Sequence, residues 1–217
     1  VLLNKELSIL EVYNDADPNI AAIVQELAAH DPSEFINEVK HTTYDEATFK
    51  WSETAENNAL AELVRRRFSR GGLKKAFAWS DRTRGGQPGD VNAWETFKLE
   101  LIDIAERLSH VDVYCLPINE LVERYDSDNV LWYIDPPYLP ATRRAPKVYS
   151  VEMTEADHID LASKLKDAKG KVILSGYQSP LYTKLYKNWN LSCRPIANHS
   201  GQGKSKQKRI ECLWRNF

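Results

Sequence analysis

Leu131-Trp132-Tyr133-Ile134-Asp135-Pro136-Pro137-Tyr138 is the stretch on which the reading of this 217-residue chain turns. Four apolar and aromatic residues form a strand, and two prolines stop it, leaving a carboxylate and a phenol at its carboxyl end. Ligands of open α/β sheets bind outside the carboxyl ends of the strands, so residues 135–138 lie where a reactive site is expected. Their chemistry suits an exocyclic aromatic amine, a poor nucleophile because its lone pair is delocalised into the ring. Acceptors around the NH2 group return density to nitrogen. The Asp135 carboxylate can take one N–H and the Pro136 carbonyl the other, while proline's fixed φ holds that carbonyl in place. The Tyr138 ring offers a face on which a base can stack, worth about 1–3 kcal/mol per base. Taken alone, the tetrapeptide also fits a strand-ending turn capped by Asp135. The cations that follow it, Arg143, Arg144 and Lys147, favour the chemical reading.

Around this strand, short apolar runs alternate with amphipathic helical patterns, the signature of a parallel sheet with helical crossovers. Upstream, Ile9–Asn14 reads as a strand. Asp17 then caps a helix that has Pro18 at its first position and Ile20, Val24 and Leu27 on one face. Residues 55–68 read as a helix ending in arginines. The segment Gly71–Asp90 holds five of the nine glycines and reads as a long loop or hairpin inserted into the domain. Asn92 and Glu95 form a capping box for a helix with Trp94, Phe97, Leu101, Ile104 and Leu108 on its buried face. Val111–Leu116 is a strand, and Asn119–Tyr125 a short helix before Val130–Ile134. Downstream, Thr154 and Asp157 box the start of a helix with His158, Leu161, Ala162 and Leu165 on one face and Gly170 as its C-cap. His158 there reads as a packed side chain. Lys171–Ser175 is a strand, Ser179-Pro180 opens a helix, and Leu191–Ala197 pairs with Arg209–Trp214. The tract Gly201–Lys208 between them reads as a solvated connection.

The composition is 42% hydrophobic, with 29 Lys+Arg against 31 Asp+Glu for a net charge of −2, and the mean hydropathy is −0.51. No apolar run approaches the roughly 18 residues of a membrane span, which leaves a soluble globular domain, or one domain with an insertion. No signal peptide opens the sequence. Cys115, Cys193 and Cys212, odd in number and without a CxxC, read as small buried side chains in a reducing compartment. With no ligand spacing among the five histidines, no metal is expected. The near-neutral total hides a segregation. Residues 1–60 carry twelve acidic and three basic side chains, whereas residues 65–84 carry Arg65, Arg66, Arg67, Arg70, Lys74, Lys75, Arg82 and Arg84 against Asp81 alone. Such a stretch reads as a DNA-facing surface, with Arg65–Arg67 on a helix against phosphates and Arg82 and Arg84 in the loop as base readers.

The sequence resembles the Dam-like N6-adenine DNA methyltransferases over nearly its whole length. The likeness is strongest in residues 131–138, in Glu152-Met153-Thr154-Glu155-Ala156-Asp157-His158, in Lys169-Gly170-Lys171-Val172-Ile173-Leu174-Ser175-Gly176-Tyr177, and in Arg209-Ile210-Glu211-Cys212-Leu213-Trp214. The resemblance implies a Rossmann-like S-adenosylmethionine-dependent methyltransferase domain made of residues 1–29 and 106–217. A partly helical target-recognition segment would be inserted at 30–105. It implies methyl transfer to N6 of an adenine flipped out of double-stranded DNA. Asp135, Pro136, Pro137 and Tyr138 would be catalytic. Glu11-Val12-Tyr13-Asn14-Asp15 looks like the family's second strand, whose terminal acid contacts the cofactor's ribose, so Asp15 and Asp135 would face S-adenosylmethionine. Arg65, Arg66, Arg70, Lys74, Lys75, Arg82, Arg84, Arg143 and Arg144 would contact DNA. No metal or membrane is implied, and the setting would be the cytoplasm of a bacterium or of a phage host, as part of restriction–modification or otherwise.

Two departures from the family pattern carry expectations of their own. The family's first strand and FxGxG cofactor loop have no counterpart, and neither Gly85-Gly86 nor Gly201-Gln202-Gly203 replaces them. With Met153 the only methionine, the chain is expected to start just after that loop and, as it stands, to bind S-adenosylmethionine poorly. Pro117 stands where many relatives have Asp or Asn beside the cofactor's adenine. The alternatives are a catalytically silent DNA-binding fragment and an N4-cytosine methyltransferase, a class that more often has Ser where this chain has Asp135.

Overall fold

A computed structural model describes residues 2–143, 149–196 and 209–217 as a mixed α/β structure, with eight α-helices and three small sheets among those residues. Arg144, Lys147, Ala197 and the tract Gly201–Lys208 lie outside them. The chain divides into two compact units, Val1–Cys115 and Leu116–Phe217, each with its own hydrophobic core. None of the helices among the described residues is long and apolar enough to cross a membrane.

In the first unit, β1 (Val12–Asn14) pairs in parallel with β4 (Asp112–Tyr114), Tyr13 opposite Val113. Between them run α1 (Pro18–Ala28), α2 (Ser33–His41), α3 (Glu46–Thr54), α4 (Ala59–Arg67), the hairpin β2 (Thr83–Arg84) with β3 (Gln87–Pro88), and α5 (Gly89–Leu108). Local chemistry sets the helix starts. The side chains of Asp17, Asp45 and Asn58 accept from Asn19 N, Thr48 N and Ala61 N, respectively. The helices bury one face each around Leu27, Val39, Phe49, Val64, Phe68 and Leu101. Trp94 closes this core, its ring edge-to-face with Phe68 at 5.0 Å between centroids and its Nε1–H donating to Thr42 O at 2.9 Å. Full burial of such side chains stabilises by about 1.5–3 kcal/mol each.

In the second unit α6 (Ile118–Tyr125) precedes β5 (Leu131–Ile134), and α7 (Glu155–Lys166) links β5 to its parallel neighbour β6 (Lys171–Tyr177). After α8 (Pro180–Leu185), β7 (Asn190–Ile196) and β8 (Arg209–Arg215) complete a sheet of order β5-β6-β8-β7, with β8 antiparallel to both neighbours. One face is apolar: Val172, Leu174, Cys212 and Trp214 pack with Leu161 and Leu165 of α7, Tyr182 of α8 and its C-cap residue Tyr186. The Thr154–Asp157 capping box is present, and His158 is fully buried on this face.

The structure corrects the sequence reading in four places. Helices α2 and α3 occupy 33–54, where no elements were assigned. Helix α5 starts at Gly89, a turn before the expected Asn92 cap, because the hairpin leads straight into it through Gly89 N–H to Arg82 O at 2.9 Å. Gly170 does not cap α7, which ends at Lys166. It instead lets the start of β6 pass Val130, whose carbonyl oxygen lies 2.9 Å from where a Cβ would stand. Finally, the cysteines are not three reduced, buried side chains. The β7–β8 register sets Cys193 opposite Cys212, and the two form a disulfide, while Cys115 is free and exposed. Nineteen residues separate the pair along the chain, so spacing gives no sign of a pairing that the hairpin register creates.

Candidate active site

Asp135 follows directly on β5, and the parallel register that pairs Ile134 with Leu174 brings Ser175 beside it. The buried Ser175 hydroxyl donates to Asp135 Oδ1 at 2.5 Å, closer than its alternative acceptor, Ile134 O, at 3.3 Å. That bond fixes the carboxylate and leaves the exposed Asp135 a second oxygen able to accept an N–H. Pro136 is buried beneath it. Tyr138 turns back over β6 and β8. Its hydroxyl donates to Glu211 Oε1 at 2.7 Å, and its ring meets the Tyr177 ring edge-on, centroids 4.6 Å apart at 72°. Burial, reinforced by the charges of Glu211 and Asp135, pushes the Tyr138 phenol above its ordinary range, so it stays a donor at neutral pH.

Below the turn, His158 Nδ1 lies 3.0 Å from Tyr182 Oη. Burial lowers the imidazole's pKa, which favours the neutral ring of a packed residue over an exposed base. Beyond the turn, Arg143 forms two contacts with Glu152, at 3.1 and 2.5 Å, and Tyr149 N–H donates to Glu152 Oε1 at 2.9 Å. Arg143 is therefore engaged in closing its own loop, its side chain 6% exposed. Arg144 falls outside the described residues.

In the first unit, Asp15 stands at the carboxyl end of β1, where strand and helix α1 meet. Tyr13 Oη donates to its Oδ2 and Asp17 N–H to its Oδ1, both at 2.9 Å. The basic stretch divides in two. Glu62, 2% exposed, gathers Arg65 at 3.1 Å, Arg66 at 2.7 Å and Lys74 at 2.9 Å, and Arg66 also reaches Asp17 at 2.7 Å. Three of the predicted DNA contacts are thus paired within the fold, three cations against two carboxylates. Arg70, Lys75 and Arg82 are exposed, and Arg84 sits on β2 beside the turn Gly85-Gly86, whose positive φ values of 59° and 83° suit the two glycines. A cleft of about 500 Å³ is lined by Tyr44, Arg67, Arg70, Trp79, Arg82 and Asp90 among others. Among the described residues no cluster of His, Cys, Asp and Glu could hold a metal ion.

Sequence reasoning did not single out Ser175, Tyr177 or Glu211, although all three lie in stretches that carry the resemblance. The available signal was alternation: with Val172 and Leu174 on the apolar face of β6, Ser175 and Tyr177 fall on the other face. Glu211 has no such signal, because it reaches Tyr138 only through the pairing of Tyr177 with Glu211.

A braced carboxylate and a hydrogen-bonded phenol thus stand together at the end of a parallel strand in an α/β structure. The chain belongs to the D12 class N6 adenine-specific DNA methyltransferases, whose family model matches residues 10–198. It is thus an enzyme that methylates adenine N6 in DNA, and S-adenosylmethionine is the methyl donor of this family. Comparison with curated proteins gives no match.

Proposed function

We propose that the turn Asp135-Pro136-Pro137-Tyr138 is the transfer site of this enzyme and that it receives an adenine swung out of the duplex. The observation that carries the reading is the Ser175–Asp135 hydrogen bond, which presets a carboxylate oxygen at the strand end. The exposed Asp135 oxygen accepts one N6–H and the Pro136 carbonyl the other, drawing density onto N6, whose lone pair would take the methyl group as the donor sulfur keeps the pair of the broken S–C bond, and the proton that N6 gives up passes to the Asp135 carboxylate. Tyr138 stacks on the ring and replaces the neighbours that the base leaves in the duplex. S-adenosylmethionine, when bound, supplies an electrophilic methyl group. Asp15 fits the cofactor's vicinal diol: its carboxylate is oriented by Asp17 N–H and Tyr13 Oη and retains lone pairs for further donors.

Residues 1–29 and 106–217 are read as the Rossmann-like methyltransferase domain, with 30–105 as the inserted recognition segment. Within that segment Arg70 and Lys75 serve as phosphate contacts and Arg82 and Arg84 as base readers. Arg65, Arg66 and Lys74, ion-paired to Glu62, first hold the surface in shape and contribute the one charge left over. A DNA-modifying enzyme of this kind works in the cytoplasm of a bacterium or phage host, where the exposed Cys193 is open to thiol reductants. Replacing Asp135 by Ala is expected to lower methyl transfer by about 10²–10³-fold, with DNA binding retained. A loss below about threefold contradicts the assignment, since one lost acceptor is worth far more than that at such sites.

A further inference from the structure

We infer that Glu211 is a positioning residue for methyl transfer, fixing the plane of the Tyr138 ring before the base arrives; the inference rests on the DPPY turn being the transfer site. β8 lies between β6 and β7, and its antiparallel register sets Glu211 opposite Tyr177 and Leu213 opposite Ser175. Opposed residues share a face, so Ser175, Tyr177 and Glu211 stand together on the face turned away from Val172, Leu174, Cys212 and Trp214. From there the three act on the two ends of the turn. Ser175 holds Asp135 at 2.5 Å, and Glu211 holds the Tyr138 hydroxyl at 2.7 Å. Tyr177 meets the Tyr138 ring edge-on at 72°.

A tyrosine on a loop rotates about χ1 and χ2 unless its ring and its tip are both held. The Tyr177 edge restrains the ring, and the Glu211 carboxylate restrains the tip through a charge-assisted bond. With both in place the stacking surface is set in the free enzyme, and an incoming base does not have to order it. Loss of the tip contact frees the ring and so acts on the arrangement of the bound base rather than on DNA affinity, which resides in the phosphate contacts.

The test is a double-mutant cycle between Glu211 and Tyr138, read as kcat for methyl transfer to duplex DNA. Fluorescence of 2-aminopurine at the target position reports how the extruded base is stacked. Glu211→Ala is expected to lower kcat by about tenfold with DNA affinity unchanged, a small displacement of a positioning group having effects of this order. Glu211→Gln, whose amide oxygen still accepts from the phenol, is expected to recover most of the loss. Tyr138→Phe removes the donor, so Glu211→Gln or Glu211→Ala in that background should cost nothing further. The 2-aminopurine signal should change with Glu211→Ala and not with Glu211→Gln. Equal losses for Ala and Gln, or additive losses in the Tyr138→Phe background, overturn the inference. Should Glu211→Ala fail to fold, Tyr138→Phe, which removes the same contact from the other side, decides: a loss of kcat of about tenfold with DNA affinity unchanged is expected, and an unchanged kcat overturns the inference. If the unmodified enzyme transfers methyl to adenine and Glu211 proves irrelevant, only this inference fails. Full activity in Asp135→Ala is the result that removes the transfer-site reading itself.

Discussion

Asp135, Glu62 and Glu11 are three carboxylates in three settings, and their partners divide chemistry from scaffolding. Among the described residues, Asp135 is exposed and has Ser175 as its internal donor, so it keeps capacity for a substrate. Ser175→Ala should leave that carboxylate free to rotate and lower methyl transfer by about five- to tenfold, less than Asp135→Ala, as measured by single-turnover rates. Glu62 is buried among Arg65, Arg66 and Lys74 and serves the fold. Arg66→Ala is expected to destabilise the protein by about 3 kcal/mol in chemical denaturation, because Glu62 and Asp17 lose their shared partner. An effect below about 0.5 kcal/mol would place Arg66 among ordinary surface cations. Glu11, beside Arg107 at 2.6 Å and bonded to Lys5 and Ser8 N–H, is held down from 4.5 to about 2, chiefly by Arg107. Its depressed pKa means that its stabilisation is complete above pH 4.5 and is lost as pH falls through 2. Glu11→Gln should therefore flatten the acid slope of unfolding stability between those values, and an unchanged slope would show that the Arg107 contact contributes nothing. The position of Asp135 and Tyr138 at a strand end was legible in the sequence because the two prolines stop β5 there. The Glu62 node was not, since sequence shows eight cations spread over residues 65–84 and conceals that Glu62, just before them, is buried against three.

At the scale of elements, the sequence was most legible where local chemistry fixes a boundary. The Asp17 cap with Pro18, the Thr154–Asp157 box and the Ser179 cap all form as their residues require. It was least legible where tertiary contacts override local signals. A four-residue capping pattern at Asn92 yields to a hairpin that extends α5 by a turn, and Gly170 serves a close strand approach rather than a helix end. Gly170→Ala should destabilise the second unit by about 1–3 kcal/mol, since Val130 O and the Trp132 ring leave no room for a methyl group. Thermal unfolding measures it, and an unchanged midpoint would mean that the β5–β6 junction yields. Register is the other source of hidden structure. Neither the meeting of Glu211 with Tyr138 nor that of Cys193 with Cys212 can be read before strand pairing is known.

Across the whole molecule, a net charge of −2 averages an acidic amino-terminal region with a basic stretch, and the structure splits that stretch again. Pairing at Glu62 leaves Arg67, Arg70 and Arg82 as exposed cations lining the cleft, with Lys75 exposed on the same stretch of chain. Arg70→Ala is expected to reduce the salt dependence of DNA binding by about one unit of slope for all sequences, whereas Arg82→Ala should relax base preference. Unchanged slope and preference would move the DNA surface elsewhere. The same distinction makes charge reversal at Arg65 and Arg66 first a test of folding, because both are ion-paired to Glu62. The central claim is that the DPPY turn directs methyl transfer to adenine N6. Labelled methyl transfer to duplex DNA, followed by nucleoside analysis of the product, tests it most directly. The account predicts N6-methyladenine from the unmodified enzyme and its loss with Asp135→Ala; N4-methylcytosine, or N6-methyladenine undiminished in Asp135→Ala, would contradict it.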